Sequence, residues 1–428
     1  MTTERSLIEE MLRDENLNQA YLRVVQNKGS AGIDGMETKD LKDYLGEHTE
    51  EIKEEIRLKK YKPSPVKRVE IPKPDGGTRN LGIPTVMDRF VQQAIVQVLT
   101  PIYEPKFSET SYGFRPNKYC EMAIIKALEY MNDGFEWIVD IDLEKFFDTV
   151  DHDRLISLVM KDVKDGAIVS LIRKFLVSGI IIDDEFKESV IGTPQGGNLS
   201  PLLSNVVLNE LDKELEARGL RFTRYADDCI ILVGSGKAAD RIMESVSAFI
   251  EKKLKLKVNM TKSKVSKPTE IKYLGFGFYK DKYSNMYKAL PHEKSVQKLK
   301  VKLKALTSRS WSVSMEYRLL KIKQIIVGWV NYYRIVNIKM KCVKIDNWIR
   351  FRLRMCIWKQ WKKISTKLKA LVKLGIPKRK AWEWANTRKE YARVAKSIIM
   401  TRSVTNQRLK QKGLVSLLDQ YQLKHILV

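Results

Sequence analysis

The chain has 428 residues, a formal net charge of +26 and an isoelectric point near 9.7. Its hydrophobic fraction of 43% is enough for buried cores and excludes bulk disorder, and its length predicts about two to four domains. Four cysteines without a CxxC pair and only four histidines argue against a zinc ribbon, an HNH-type nuclease and a disulfide framework. No apolar run reaches the roughly 18 residues of a membrane span, so we expect a cytoplasmic protein without a membrane partner.

The positive charge is concentrated in the last third of the chain. From residue 291 onward there are 34 lysines and arginines against 6 acidic residues, whereas the first 290 residues carry 44 against 46. Seven of the eight tryptophans also lie in the basic third. A cluster of solvated amphipathic helices does not account for such an excess, and basic residues interleaved with aromatic ones predict a nucleic-acid surface.

The first predicted element with candidate chemistry is a β-hairpin around KPDGGTR, from Lys73 to Arg79. Its Pro-Asp-Gly-Gly centre is typical of a turn, which leaves one basic residue at each end. Taken alone, the pattern fits a surface hairpin that carries its charges for solubility.

A strand rich in isoleucine and valine comes next along the chain, in EWIVDIDLEKFFDTVDH, residues 136–152. Because side chains alternate along a strand, Asp140 and Asp142 lie on the same face, opposite Val139 and Ile141. Either aspartate fits the part of a metal ligand, and the spacing does not choose between them.

A glycine-rich loop and a helix are predicted in GTPQGGNLSPLLSNVVLNELDKEL. Ser200 and Pro201 predict a helix start, with the serine as N-cap and the proline in the first turn. Leucine and valine recur at four-residue spacing and predict an amphipathic helix that packs on a core; they are Leu203, Val207, Leu211 and Leu215.

Two adjacent aspartates interrupt an apolar stretch in RYADDCIIL, residues 224–232. The pattern predicts strand, tight turn and strand, with Asp227 and Asp228 at or beside the turn. Two neighbouring carboxylates repel each other unless a cation neutralises them. Together with the strand aspartates, they predict a divalent-metal site.

The basic third begins with amphipathic helices in KSVQKLKVKLKAL and MEYRLLKIKQIIVGWVNYYR, which carry lysines on their polar faces. Gly375 and Pro377, in LGIPKRKAW, mark a boundary. The residues beyond this boundary predict a small helical domain. We expect most of the tryptophans to pack between helices and one or two to stack on bases or sugars.

The order of these motifs resembles the group II intron-encoded reverse transcriptases of bacteria. FFD after a strand aspartate, TPQGGNLSP and YADD resemble the palm motifs of reverse transcriptases, and IPKPDGGTRNLGIPTVMDR and SYGFRPNK resemble their finger motifs. NKGSAGIDG is similar to the N-terminal extension of this branch, KPTEIKYLGF to the grip motif, and GWVNYY with the tail to the maturase region. The chain lacks a His/Cys nuclease, as group IIC-like members do, and its KEYAR lacks the glycine and tryptophan common at that place.

The resemblance implies an α+β right-hand polymerase, with an antiparallel palm sheet followed by an all-α thumb and a small helical C-terminal domain. The implied division is residues 1–290 for fingers and palm with the N-terminal extension, 291–374 for the thumb or maturase domain, and 375–428 for a basic DNA-binding domain.

The resemblance also selects the catalytic residues. Asp142 precedes Phe146 and Phe147 by four and five positions, which is the spacing of the family's catalytic aspartate. Asp142, Asp227 and Asp228 are then expected to bind two Mg²⁺ ions, for which Mn²⁺ would be a substitute. One ion would activate the primer 3′-hydroxyl and the other would hold the triphosphate and the leaving pyrophosphate.

The same resemblance implies the nucleotide contacts. Lys73 and Arg79 are expected to contact the triphosphate, Gln195 the deoxyribose or the 3′ side, and Lys262 the leaving pyrophosphate. Phe147 is expected to exclude the ribose 2′-hydroxyl, and the alternative for it is a place in the hydrophobic core. Residues expected to contact nucleic acid are Arg115, Lys362, Lys363, Lys367 and Lys369.

The implied function is RNA-directed DNA synthesis together with assistance to splicing and mobility of the parent intron. The expected partners are the parent group II intron RNA, an RNA template with a DNA or RNA primer, dNTPs and target DNA, in a bacterial cytoplasm. Two alternatives stay open, a splicing maturase with vestigial polymerase activity and a domesticated, defence-associated reverse transcriptase.

Overall fold

A computed structural model describes residues 6–72, 76–183, 185–188, 191–193 and 196–426. The chain forms two compact units, residues 1–267 and residues 268–428. The three-domain division expected from the sequence stays a prediction, and its first boundary, at 290/291, does not coincide with the division between the two units. Among the described residues, no helix has both the length and the apolar character needed to cross a bilayer.

The first unit combines two small sheets with helices. Its helices are α1 (Leu7–Met11), α2 (Asp14–Asn27), α3 (Leu41–Arg57), α4 (Val86–Tyr103), α5 (Cys120–Asn132), α6 (Phe146–Thr149), α7 (His152–Asp162), α8 (Gly166–Leu176), α9 (Ser200–Ala217) and α10 (Gly236–Phe249). Its strands are β1 (Val66–Pro72), β2 (Thr78–Ile83), β3 (Trp137–Ile141), β4 (Ile180–Ile182), β5 (Glu185–Lys187), β6 (Arg221–Tyr225), β7 (Asp228–Val233) and β8 (Lys264–Ser266).

One sheet of this unit has the strand order β6-β7-β3-β8, and all of its neighbouring strands are antiparallel. Helix α9 packs on the core beneath it, and the four residues predicted to do so from their spacing are all buried. The predicted antiparallel palm sheet is confirmed. Helix α9 begins one position earlier than predicted, because Ser200 is its first residue and Leu199 occupies the cap position without a side-chain hydrogen bond.

The second sheet has the order β2-β1-β4-β5. Strands β1 and β2 form the antiparallel hairpin predicted around KPDGGTR, with Ile71 paired to Arg79 and Pro72 to Thr78. Strand β4 adds to β1 in parallel, through Val66 and Ile180. This arrangement supports the hairpin on one side only, so that the other edge, β2, is available to neighbouring loops.

The second unit contains a hairpin and a set of helices. Its elements are β9 (Phe276–Lys280), β10 (Tyr287–Pro291), α11 (Glu293–Leu306), α12 (Met315–Tyr332), α13 (Lys339–Gln360), α14 (Ile364–Lys373), α15 (Lys378–Ala385), α16 (Tyr391–Lys396), α17 (Ile398–Ser403), α18 (Asn406–Gln411) and α19 (Leu417–Lys424). The predicted boundary at Gly375 falls between α14 and α15, where this glycine has a φ of +80°.

The segment that resembles the grip motif packs within the second unit, against the tyrosines of the GWVNYY motif. The Tyr333 hydroxyl donates to the carbonyl of Gly275 at 3.1 Å, and the Tyr332 hydroxyl donates to that of Leu274 at 2.7 Å. The rings of both tyrosines lie within 6 Å of the Phe276 ring. Two motifs that are separate in the sequence are therefore one packed structure.

Candidate active site

Asp142 lies immediately after β3, which is one of the two inner strands of the palm sheet. Its backbone N–H donates to the Ser263 hydroxyl at 3.0 Å, and its carbonyl accepts from the Asn259 N–H at 2.8 Å. Both partners belong to the turn that leads into β8. The main chain of this aspartate is thus held on both sides by one turn about 120 residues further along the chain.

Asp227 and Asp228 come from the hairpin between β6 and β7, as predicted. Tyr225 pairs with Asp228, which leaves Ala226 and Asp227 as the two residues of the turn. Ala226 has a φ of +57° and Asp227 is not left-handed, which is the φ pattern of a type II′ turn. Glycine is the usual residue at that first position, so alanine there stores local strain.

The register between β3 and β7 brings the aspartates together. Asp140 pairs with Ile230 and Ile141 with Cys229, and the same register continued by one residue sets Asp142 opposite Asp228. Directly opposed residues of an antiparallel pair have Cα atoms about 4.5–5.5 Å apart. Two of the three expected metal ligands are therefore cross-strand neighbours, and the third is in the adjoining turn.

The pKa of Asp140 shows that negative charge is concentrated at the end of β3. Burial and the carboxylates of Asp228 and Asp142 together raise the pKa of Asp140 to about 6, against the opposing effect of Lys264. Asp140 pairs with Lys264 on β8, on the other side of β3. A cation between the aspartates would relieve the same repulsion.

Beneath the hairpin, Arg224 is fully buried and joins three elements. Its guanidinium forms two bonds with the carboxylate of Asp212 on α9, and it also donates to Asn205 Oδ1 at 3.0 Å. A further bond of 2.9 Å reaches the carbonyl of Ala226, the first residue of the Ala226–Asp227 turn. Burial raises the pKa of Asp212, and the guanidinium of Arg224 opposes that shift.

The loop of the SYGF motif closes over the same hairpin. The Tyr112 N–H donates to the Arg224 carbonyl at 2.8 Å, and the Gly113 carbonyl accepts from Asn205 Nδ2 at 2.8 Å. A Cβ on Gly113 would lie 2.1 Å from the Ala226 nitrogen. Only glycine permits this approach, so the finger motif has a direct part in holding the turn.

Lys262 lies in the turn that holds the main chain of Asp142. Its N–H donates to the Asn259 carbonyl at 3.1 Å, and its side chain is exposed. The expected pyrophosphate contact thus comes from a residue beside the first aspartate.

On the finger side, Arg79 is exposed on β2, while Lys73 and Gln195 lie outside the described residues. A Cβ on Gly196, which has a φ of +130°, would lie 2.3 Å from the Gly82 carbonyl oxygen of β2. The loop that carries Gln195 and the strand that carries Arg79 therefore meet through two glycines.

Phe147 belongs to the short helix α6 and is 9% exposed, against 2% for Phe146, which it contacts edge to face. Its carbonyl accepts from the Thr193 N–H at 2.6 Å, in the segment that leads to Gln195. The ring belongs to the hydrophobic core, and the exclusion of a ribose 2′-hydroxyl by Phe147 stays a prediction.

Comparisons with known proteins give the family of this chain. A model of the reverse transcriptase (RNA-dependent DNA polymerase) family matches residues 71–278, and one of the group II intron maturase-specific domain matches residues 296–375. Protein YkfC of Escherichia coli K12 is 32% identical over 299 residues, which are 60% of this chain and 78% of YkfC. Group II intron-encoded protein LtrA of Lactococcus lactis subsp. cremoris is 36% identical over 221 residues, 51% of this chain and 37% of LtrA.

The chain belongs to the group II intron-encoded reverse transcriptases. It is an RNA-directed DNA polymerase with a maturase domain, as the sequence motifs indicated. Among solved structures, a partial Cas6-RT-Cas1–Cas2 complex matches with a TM-score of 0.36 and 23% identity, over 58% of this chain and 43% of that one.

Membership in this family implies dependence on a divalent metal ion and an RNA template, and the maturase domain implies an intron RNA. In the described part of this reverse transcriptase, no three His, Cys, Asp or Glu side chains form a preassembled metal site. The donor set itself fits a hard cation, because carboxylate oxygens are the ligands that Mg²⁺ prefers.

Arg115 does not fit its expected contact with nucleic acid. It is buried, and its guanidinium is bonded to the carboxylate and carbonyl of Glu104 and to the carbonyls of Ser108 and Ser111. These bonds use all five N–H donors of an arginine. In this reverse transcriptase Arg115 holds the loop before the SYGF motif.

The lysines expected to bind nucleic acid lie at and after the end of α13. Lys362 and Lys363 precede α14 and are exposed, and Lys369 is exposed on that helix. Lys367 is half-buried, with its ammonium 4.6 Å from the centre of the Trp358 ring. Trp358 itself is 2% exposed, whereas Trp382 is 62% exposed.

Sequence reasoning missed the buried side chains that support the Ala226–Asp227 turn. Asn205, Asn209 and Asp212 form a polar stripe on α9 at intervals of four and three residues, within a helix otherwise buried among apolar side chains. Such a stripe on a core helix signals buried hydrogen bonds. Its partner, Arg224, is the first residue of the RYADD motif. The sequence alone does not indicate that this arginine is buried or that it supports the turn.

Proposed function

We propose that this reverse transcriptase copies RNA into DNA from dNTPs, with Asp142, Asp227 and Asp228 as the ligands of two Mg²⁺ ions. The observation that carries the proposal is the register of the palm sheet, which pairs Ile141 with Cys229 and, continued by one residue, sets Asp142 opposite Asp228 beside the turn of Asp227. When bound, the two ions activate the primer 3′-hydroxyl and neutralise charge on the triphosphate.

The chain's own contribution is to fix these carboxylates and to bind the nucleotide. Ser263 and Asn259 hold the main chain of Asp142, and Arg224 holds the turn of Asp227. Arg79 and Lys73 bind the triphosphate, and an arginine fork can bind phosphate oxygens in pairs. Phosphoryl transfer requires little beyond such positioning and charge neutralisation.

Three further residues complete the nucleotide site. Lys262 donates a proton to the leaving pyrophosphate, and Gln195 contacts the deoxyribose or the 3′ side. The ring of Phe147 fills the space that a ribose 2′-hydroxyl would need. Its position in the core beside Thr193 supports this role, because a packed ring is a rigid barrier.

The second unit binds nucleic acid through its basic surface. It contains the maturase match and the exposed Lys362, Lys363 and Lys369. We assign to it the parent intron RNA during splicing, the primer–template duplex during synthesis, and target DNA during mobility. The setting is a bacterial cytoplasm, which agrees with the bacterial relatives.

The double variant Asp227→Asn/Asp228→Asn tests the metal site. Primer extension on an RNA template should fall below detection, because loss of ligand charge removes both ion binding and transition-state stabilisation. The matched control is Asp133→Asn/Asp240→Asn, which removes two exposed carboxylates from the same unit and should keep wild-type activity. Thermal unfolding of both variants is the measure of folding.

Incorporation close to wild type in the first variant would overturn the metal assignment. Splicing of the parent intron, measured with the same two proteins, separates the roles. It should persist in the catalytic variant, because the carboxylates are not part of the RNA-binding surface.

A further inference from the structure

The second unit contains an open cavity of about 460 Å³ whose lining carries three cations and no carboxylate. Its lining residues come from the loop between α11 and α12 and from one face of α13. They are Ser308, Arg309, Ser310, Arg352, Met355 and Lys359. The volume falls in the range of about 300–1,000 Å³ that is typical of small-ligand sites.

The three cations of this cavity have no acidic partner within ion-pair distance among the described residues of the chain. Arg309 and Lys359 both lie over the ring of Tyr391 on α16, at 5.0 and 5.3 Å from its centre. Arg309 also lowers the pKa of Arg352, in addition to the larger effect of burial. Like charges gathered without a counter-charge are stabilised by a bound anion.

The loop that carries Arg309 is held in place by hydrogen bonds from a buried arginine of α12. Buried Arg318 donates to the carbonyls of Leu306, Ser308 and Trp311. The cavity geometry thus depends on hydrogen bonds that are already made, which reduces the entropy lost when a ligand binds.

Arg352 is also held by hydrogen bonds to neighbouring residues, but some of its N–H donors are not used in them. Its Nε donates to the Thr307 hydroxyl at 2.6 Å, and its Nη2 donates to the carbonyls of Lys304 and Thr307. The two N–H donors of Nη1 are not used in these bonds. A guanidinium fixed on one side and open on the other matches the oxygens of a phosphate.

We propose that this cavity is a phosphate-binding pocket that takes a backbone phosphodiester of nucleic acid. Arg309 and Lys359 provide the charge, Arg352 the oriented donors, and the hydroxyls of Ser308 and Ser310 further hydrogen bonds. The inference rests on the proposed nucleic-acid function of the second unit and specifies one of its contacts. The phosphodiester comes either from the intron RNA or from the primer–template duplex, and binding to each tells them apart.

The test compares three full-length proteins by equilibrium binding over a series of salt concentrations. Arg309→Gln/Lys359→Gln removes two charges from the pocket. Lys300→Gln/Lys302→Gln removes two exposed charges from α11, outside the pocket, and measures the general loss of attraction. Arg309→Lys keeps the charge and removes the fork. The probes are the folded parent intron RNA and a short RNA–DNA primer–template.

The pocket variant should bind one of the two probes roughly tenfold more weakly than the α11 variant, because a charge-assisted contact is lost in addition to general attraction. Loss confined to the intron RNA assigns the phosphodiester to the intron, and loss confined to the primer–template assigns it to the duplex. Arg309→Lys should give an intermediate affinity. Equal affinities of the two double variants for both probes would overturn the pocket. Since these are binding measurements, they stand apart from primer extension, which tests the metal site.

Discussion

Arg224 is a charged side chain with no exposed surface, one residue before the end of β6, which leads into the Ala226–Asp227 turn. A buried ion pair gains little net stability, because desolvation offsets the attraction between its members. Arg224 also bonds to the Ala226 carbonyl, and through its ion pair with Asp212 it connects helix α9 to the turn of Asp227. Its main contribution is therefore to the position of this turn. We regard Arg224 as a positioning residue.

Removal of this pair separates stability from positioning. Arg224→Leu should destabilise the fold by about 3–5 kcal/mol, since Asp212 is then buried without a partner. Arg224→Leu/Asp212→Leu should recover most of the unfolding temperature, because the unpaired charge is gone. The kcat of this double variant for primer extension should nevertheless be about tenfold or more below the wild-type value, with little change in KM for dNTP. The reason is that a contact that orients reacting groups contributes mainly to kcat. A double variant with wild-type kcat would limit the pair to a structural role.

Sugar selection is a second property at the level of one residue. Phe147→Val should open space beside C2′ and raise the use of ribonucleotides more than it lowers the use of deoxyribonucleotides. The quantity to measure is the ratio of kcat/KM for a dNTP and the matching rNTP, because discrimination is a difference in transition-state binding. An unchanged ratio would make Phe147 a core residue only, and Phe146 the next residue to test.

At the scale of elements, the turn before β9 depends on one glycine carbonyl. The Gly275 oxygen accepts from the His292 N–H, the Ser295 hydroxyl and the Tyr333 hydroxyl. Gly275 has a φ of +82°, and a Cβ there would lie 2.9 Å from the Tyr333 oxygen. This carbonyl ties the hairpin β9–β10 to α11 and α12.

Gly275→Ala should therefore lower the unfolding temperature of the second unit, with a cost above about 1 kcal/mol from the left-handed conformation alone. The matched control is Gly328→Ala, at an exposed position of α12 where an added Cβ meets nothing within 4 Å. That substitution should stabilise the helix by about 1 kcal/mol. Thermal unfolding followed by circular dichroism measures both. Equal effects of the two substitutions would show that the Gly275 carbonyl is not a support of the hairpin.

Elements were predictable from the sequence where a periodic pattern was strong. The spacing of Leu203, Val207, Leu211 and Leu215 predicted the buried face of α9, and the apolar residues around Asp227 predicted the two strands. The support of the turn was not predictable in this way, because Arg224 and Asp212 meet only when α9 and β6 pack. Arg115 shows the same limit. The sequence shows that Arg115 is charged, but it does not show that Glu104, Ser108 and Ser111 are its hydrogen-bond partners.

At the scale of the whole molecule, the strongly basic part of the sequence, from residue 291 onward, lies entirely within the second compact unit, which begins at residue 268. The nearly neutral part contains the palm, and the basic part contains the maturase match. We therefore predict that substitutions in the first unit change polymerisation, whereas substitutions in the second unit change affinity for nucleic acid.

Replacement of Lys362, Lys363 and Lys369 by Gln tests this separation. If each neutralises a phosphate, the slope of log K against log salt should become shallower by about 2 on single-stranded RNA, since each contact contributes about −0.7. Products on long templates should shorten, while single-nucleotide addition at saturating template should change little. The control, Lys237, Lys252 and Lys253 to Gln, removes equal charge from the first unit. A slope equal to that of the control would show that the lysines are only solvated.

The strand order β6-β7-β3-β8 has a consequence for how this protein is made. Strand β3 is synthesised first, yet its partners β7 and β8 come about 90 and 125 residues later in the chain. Until both have left the ribosome, β3 has two open edges, which are sites of aggregation. Pairings over such sequence distances form slowly. We therefore expect the nascent chain to need protection by a chaperone during this interval, and catalysis to begin only after residue 263 is free to bind the main chain of Asp142.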